Sequence, residues 1–135
     1  MGSRPFAIVL AFDDADRDRF VLARHADRGW EIPGGRVEEG ETPTTAARRE
    51  FAEEVGHALE SLAEVLVQER ERGTCHVFAG RLGPNVEEGD THDDKIEESR
   101  LVSSLDEVEP LAFPDDPYEA IEEELDVDLG VPSDG

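Results

Sequence analysis

Cysteine and lysine each occur once in this chain, at Cys75 and Lys95, and tryptophan and tyrosine are equally scarce. A lone cysteine excludes an internal disulfide and the cross-linked framework of small secreted domains. Set in the apolar run "TCHVFAG", Cys75 reads as a small core residue. No apolar run approaches the roughly 20 residues that a bilayer span requires, and the first residues lack the basic-then-apolar pattern of an export signal. The expectation is a soluble cytoplasmic protein with no membrane partner. Positive charge is also short: 13 Lys and Arg stand against 35 Asp and Glu, for a net charge of -22. A field of that sign repels phosphate backbones and anionic lipid, so a nucleic acid polymer is not expected as a partner.

What is present suffices for one domain. The chain has 135 residues and 37% hydrophobic content, enough to bury a single core. Residues 1–130 are read as the domain and 131–135 as a tail. The acidic residues are interleaved with strand and helix patterns rather than gathered into a disordered block. That distribution fits a halophilic protein, folded in molar salt where screening removes most self-repulsion. The oligomeric state is left open, a homodimer included.

The run "RPFAIVLAF" predicts a strand, "DDADRD" a turn and "RFVLARH" a second strand. In "WEIPGGRVE" a third extended piece is interrupted at Pro33 and the glycine pair. Thr42 and Pro43 have the chemistry of an N-cap and first helical position, and Gly56 that of a left-handed C-cap, so a helix is predicted over 43–55. Residues 61–83 read as a hairpin through Gly73, and 84–94 as an acidic loop. A last strand and turn are predicted over 99–108, and a C-terminal helix over 116–126 with Asp116 as its cap. The order implies an α+β fold. His76, alternating with apolar neighbours, reads as structural, and His92 with its acidic loop as solvated or as a gate to the site.

On the first helix, Ala47, Phe51 and Val55 form the core face. Measured from Phe51 at about 100° per residue, Glu54 lies about 60° away, Glu50 about 100° and Glu53 about 160°, all on one side. Arg49 is four residues before Glu53 and can bridge to it. Such a stripe is either solvated charge or a divalent-metal site. Like charges one turn apart destabilise a helix, and a carboxylate at the core border is penalised by desolvation. Mg²⁺ or Mn²⁺ reverses both effects, because hard cations take carboxylate oxygens.

Residues 35–57 resemble the Nudix box. Its pattern of Gly, five residues, Glu, seven residues, Arg-Glu, a bulky apolar residue, any residue, Glu-Glu, any residue and Gly is met by Gly35, Glu41, Arg49, Glu50, Phe51, Glu53, Glu54 and Gly56. His57 stands where the pattern has a final apolar residue. "WEIPGG" looks like the family's lead-in strand. The resemblance implies an α/β/α sandwich around a mixed sheet. It also implies Mg²⁺- or Mn²⁺-dependent hydrolysis of a nucleoside diphosphate linked to another moiety. By the same resemblance Glu50, Glu53 and Glu54 are metal ligands, with a backbone carbonyl of Gly34 or Gly35. Glu50 or Glu53 is then the general base, Arg49 orients the carboxylates, and Glu41 braces the loop.

Many relatives draw a further acid from the loop before the last strand, where this chain has Lys95; Asp93, Asp94, Glu97 or Glu98 could substitute. Arg24 and His25 are candidates for phosphate contact, and Trp30 and Phe113 for stacking a base, against the alternatives of a surface pair and of packing. The proline that marks many ADP-ribose hydrolases is absent from its place near Arg72. The tyrosine of many diadenosine-polyphosphate hydrolases is missing too, since Tyr118 lies far downstream. A nucleotide pyrophosphohydrolase that clears damaged nucleotides is what elimination leaves. The alternatives are a nucleotide-sensing domain of the same fold without turnover and an acidic interaction module.

Overall fold

The run Phe6–Phe12, FAIVLAF, forms strand β1, which is apolar throughout because both its faces are covered. Ala7, Val9 and Ala11 point to one side, where they meet Ala46, Ala47 and Phe51 of helix α1 (Pro43–Val55). Ile8, Leu10 and Phe12 point to the other, into a core shared with Tyr118 and Ile121 of helix α2 (Tyr118–Leu125). A period-two strand between two helices makes an α/β/α sandwich. The computed structural model describes residues 5–14, 16–70, 73–85, 96–112 and 118–130, with Asn85 and Glu97 as backbone only. The expectations placed on Arg72, His92, Asp93, Asp94, Lys95, Phe113 and Asp116 lie outside the described residues.

The other strands are β2 (Phe20–His25), β3 (Gly29–Glu31), β4 (Gly34–Arg36), β5 (His57–Arg70), β6 (Gly73–Asn85) and β7 (Ile96–Val102). The sheet runs β3-β2-β1-β6-β5 and is mixed: β1 lies parallel to β6 from Phe6↔Cys75 to Phe12↔Arg81, and the remaining pairs are antiparallel. β1 meets β2 only at Phe12↔Phe20. At its other end β1 pairs instead with β4, through Ile8↔Gly34, Ala7↔Gly35 and Phe6↔Arg36. β2 carries β3 and β7 as partners. The extended piece expected over 30–38, with its interruption at Pro33 and the glycine pair, is two strands with different partners, and the glycine pair lies in the second strand and not in a loop. Pro33 has no N–H for a ladder, and its carbonyl accepts from Val9 N at 2.8 Å where the chain changes partners.

Helix α1 starts and stops where its capping residues require. Thr42 is extended (φ -87°, ψ 160°) and its hydroxyl accepts from Thr45 N, while Gly56 sits at φ 80°, ψ 23°. This left-handed turn leads into β5 at His57 without a loop, four residues earlier than the predicted hairpin. Ala47 and Phe51 are buried as the helical wheel predicts; Ala46 joins them and Val55 is half-buried. Cys75 is fully buried. β7 begins at Ile96, before its predicted start, and runs on to a 3₁₀ turn at Leu105–Glu107. No helix among the described residues is long and apolar enough to cross a membrane.

Candidate active site and metal centre

Two consecutive glycines serve two close approaches, Gly34 that of β4 to β1 and Gly35 that of α1 to β4. A methyl group at Gly34 would run into the backbone of Ala7 and Ile8, and one at Gly35 would meet the carboxyl group of Glu50. With no side chains there, the flank of α1 carrying Glu50 and Glu54 rests on the β4 backbone. Gly34 N–H donates to Glu54 Oε1 at 3.0 Å, tying the carboxylate to a strand 20 residues earlier. The Glu50 side chain is 15% exposed and that of Glu53 is 40% exposed. The stripe thus runs from the core border outward, as its angular order predicts.

Arg49 organises the acids around it. Its Nε donates to Glu41 Oε2 at 2.7 Å and its Nη2 to Glu41 Oε1 at 3.0 Å. Nη1 reaches Glu50 Oε2 at 3.1 Å and Glu53 Oε1 at 3.5 Å, and Nη2 also donates to the carbonyl of Arg36 at 3.2 Å. The two Arg49 hydrogen bonds, with a third from Glu38 N, hold Glu41 down at a pKa of about 2. The same pairing with Glu41 raises the Arg49 guanidinium above its ordinary value, against the effect of burial. Glu41 also accepts from Glu38 N at 2.9 Å while its own N–H donates to Glu38 O at 2.9 Å. The loop from β4 to α1 is therefore closed through Glu41 and clamped to the helix through Arg49.

These residues suit a hard divalent cation. The donors on this flank are carboxylate oxygens and peptide groups, with no thiol or imidazole among them, and Gly35 keeps clear the space against Glu50. Among the described residues, the one trio of acids with carboxylate oxygens all within 4.8 Å is a different one, Asp14, Asp16 and Asp18 in the β1–β2 turn. The helix glutamates do not form such a trio: Glu54 is bound to Gly34 N–H, and Glu50 and Glu53 to Arg49.

Two of the candidate substrate residues lie on the other face of the sheet. Arg24 and Trp30 are neighbours in register across β2 and β3, on the α2 side of the sheet. Trp30 is 4% exposed, with the Arg100 guanidinium 4.9 Å from its ring centroid. Glu98 bridges the two arginines, at 3.6 Å to Arg24 and 3.2 Å to Arg100. His25 is buried, and its Nδ1 accepts from Asp27 N at 3.1 Å, which shapes the turn into β3. His76 Nδ1 lies 2.6 Å from Glu64 Oε2. A cleft of about 370 Å³ bordered by Phe12, Arg17, Arg81 and Leu125 includes none of the box residues.

Sequence reading missed the fork between Arg28 and Glu31, with bonds of 2.6 and 3.0 Å. Opposite charges three residues apart around the tryptophan were the available signal. It also missed Arg48, whose Nη1 donates to Leu59 O at 3.1 Å and fastens α1 to β5.

Comparison with known proteins agrees with this architecture. A human protein, 8-oxo-dGDP phosphatase NUDT18, is 39% identical over 74 residues, 52% of this chain and 22% of that protein. The chain thus spans well under half the length of this curated relative. The crystal structure of a Bacillus subtilis pyrophosphohydrolase, BsRppH, superposes with a TM-score of 0.59 at 26% identity, over 78% of this chain and 66% of that one. A MutT structure from work on Aliivibrio salmonicida and Vibrio cholerae gives 0.67 at 19% identity, covering 91% of this chain and 97% of its own, and shows the shared fold. Residues 2–123 match the NUDIX domain, and with the glutamate flank, the glycine pair and the mixed sheet in place, the chain belongs to that family.

Proposed function

We propose that this protein hydrolyses the phosphoric anhydride bond of a nucleoside diphosphate linked to another moiety, with Mg²⁺ or Mn²⁺ bound at Glu50, Glu53 and Glu54. The observation that carries the reading is that the three carboxylates share one flank of α1, with Glu54 bound to Gly34 N–H, Glu50 lying against Gly35, and Glu50 and Glu53 both held by Arg49. Glu50, Glu53 and Glu54, with a carbonyl of Gly34 or Gly35, would hold the cation, which would supply charge neutralisation at phosphate oxygens and acidify an attacking water.

The chain's own residues do the rest. Arg49 keeps Glu41, Glu50 and Glu53 oriented and reduces their mutual repulsion. Glu50 or Glu53 accepts the proton of the attacking water; Glu53, the more exposed of the two, is the easier for water to reach. The substrate class is supported by the family and by the relative that acts on 8-oxo-dGDP, and an oxidised purine nucleotide is the first compound to try.

The test is product release from ADP-ribose, dGTP, 8-oxo-dGTP and 8-oxo-dGDP with Mn²⁺, in low and molar KCl, by wild type, Glu53→Gln and Glu54→Gln. Turnover by wild type that falls about a hundredfold or more in either variant supports the assignment. Tight nucleotide binding without turnover would make this a sensor instead, and neither binding nor turnover an acidic interaction module.

A further inference from the structure

We propose that Arg28, oriented by Glu31, binds the diphosphate of the substrate from the side opposite the helix glutamates. This inference rests on the hydrolase reading for the nature of the ligand and adds a residue to it.

Among the described residues Glu31 is one of the few buried polar or charged side chains, 4% exposed within strand β3. A buried carboxylate is tolerated only with a close partner, and Arg28 is that partner. Its Nε donates to Oε1 at 2.6 Å and its Nη2 to Oε2 at 3.0 Å, a two-bond fork that holds the guanidinium in one plane. The burial is unequal: the acid side chain is 5% exposed and the arginine 45%. The pair therefore conceals its negative member and presents its positive one.

The strand register fixes which way it is presented. Glu31 is opposite Ala23, and Trp30 opposite Arg24. Phe20 and Leu22 belong to the α2-side core and Val21 to the α1-side core, so by alternation Ala23 faces α1. Trp30 lies in the α2-side core, so Glu31, its neighbour, faces α1 as well. Arg28 is drawn to that face through its fork. Arg24, paired with Glu98, belongs to the other one.

Proximity follows from the chain. Gly34, the residue hydrogen-bonded to Glu54, is three positions after Glu31, and an extended chain covers at most about 10 Å over three positions. A carboxylate–metal bond, a metal–phosphate bond, a diphosphate and a hydrogen bond together span such a gap. The need is electrostatic: a chain of net charge -22 must hold a polyanion, and Arg49 is already engaged with Glu41, Glu50, Glu53 and the Arg36 carbonyl. A guanidinium held in a fork on the same side of the sheet answers that need with little ordering cost.

The experiment compares wild type with Arg28→Ala, Arg28→Lys, Glu31→Gln and the Arg28→Gln/Glu31→Gln double variant. The double variant removes the buried charge with its partner, so the fold is testable even if Arg28→Ala unfolds. Imidodiphosphate with Mn²⁺ is the binding probe, and KM and kcat are taken on any anhydride that is cleaved. Loss of Arg28 should raise the Kd for imidodiphosphate and the KM about tenfold or more, leaving kcat within about threefold. Arg28→Lys should fall between, keeping the charge but not the fork. A folded double variant with unchanged Kd and KM, or a wild type that does not bind imidodiphosphate, overturns the proposal. Arg28-dependent binding without cleavage of any nucleotide would sink the hydrolase reading alone. Cleavage with a Kd indifferent to Arg28 would sink this one alone.

Discussion

Arg49 holds Glu41 by two parallel hydrogen bonds, 2.7 and 3.0 Å long, across eight residues and a helix start. Through the same guanidinium it reaches Glu50 and Glu53. One side chain thus couples closure of the β4–α1 loop to the orientation of the proposed metal ligands.

Arg49→Lys should cost both activity and stability. Lysine keeps the charge but cannot make the fork, and a misplacement of the carboxylates on the order of 1 Å lowers kcat by about a hundredfold. The lost charge-assisted bonds lower the urea midpoint as well. Urea melts alongside steady-state rates check both, and a kcat within twofold of wild type would contradict the coupling.

Gly35→Ala introduces a methyl group where the Glu50 carboxyl lies. Glu50 must swing away, and the variant should bind Mn²⁺ about tenfold or more weakly than wild type. Titration of Mn²⁺ followed by its paramagnetic resonance signal reads this directly, whatever the substrate.

Acid should reveal Glu41. Its pKa is depressed from the ordinary glutamate value of 4.5 to about 2 in the folded chain, chiefly by Arg49 and then by Glu38 N–H. A depressed acid contributes stability that is fully present above the unfolded value and is lost as pH falls through the folded one. The stability difference between wild type and Glu41→Gln should therefore stay constant above about pH 5 and shrink between about pH 4.5 and 2. A difference that stayed flat down to pH 2 would count against the pairing.

Salt should tighten the fold. With 35 acidic and 13 basic residues, self-repulsion is strong at low ionic strength, and at about 1 M salt the Debye length falls to roughly 3 Å. The melting temperature should rise by several degrees between dilute buffer and molar KCl, and an unchanged value would remove the halophilic interpretation.

Much of the proposed site was legible because its components are local. The glutamate flank follows from helical periodicity, and the ends of α1 from Thr42, Pro43 and Gly56, whose preferences act within a few residues. The strands were legible as elements, but their limits were not. β5 starts at His57 and β7 at Ile96 because pairing partners, not local propensity, decide how far a strand extends. Where the substrate candidates face was not legible. Arg24 and His25 were candidates from their place at the end of the second strand and Trp30 from its ring; Arg24 and Trp30 sit on the α2 face, and the His25 ring accepts a bond in the turn into β3.

Spacing along the chain was enough to define the helix, its caps, the order of carboxylates around its axis and the family resemblance, because all of these depend on interactions between near neighbours. Which residues share a face with those carboxylates was settled by folding alone. The change of partner at Pro33, the parallel register of β1 on β6 and the fork from Arg28 to Glu31 each depend on how distant strands align. In a sheet, a shift of one residue moves a side chain to the opposite surface.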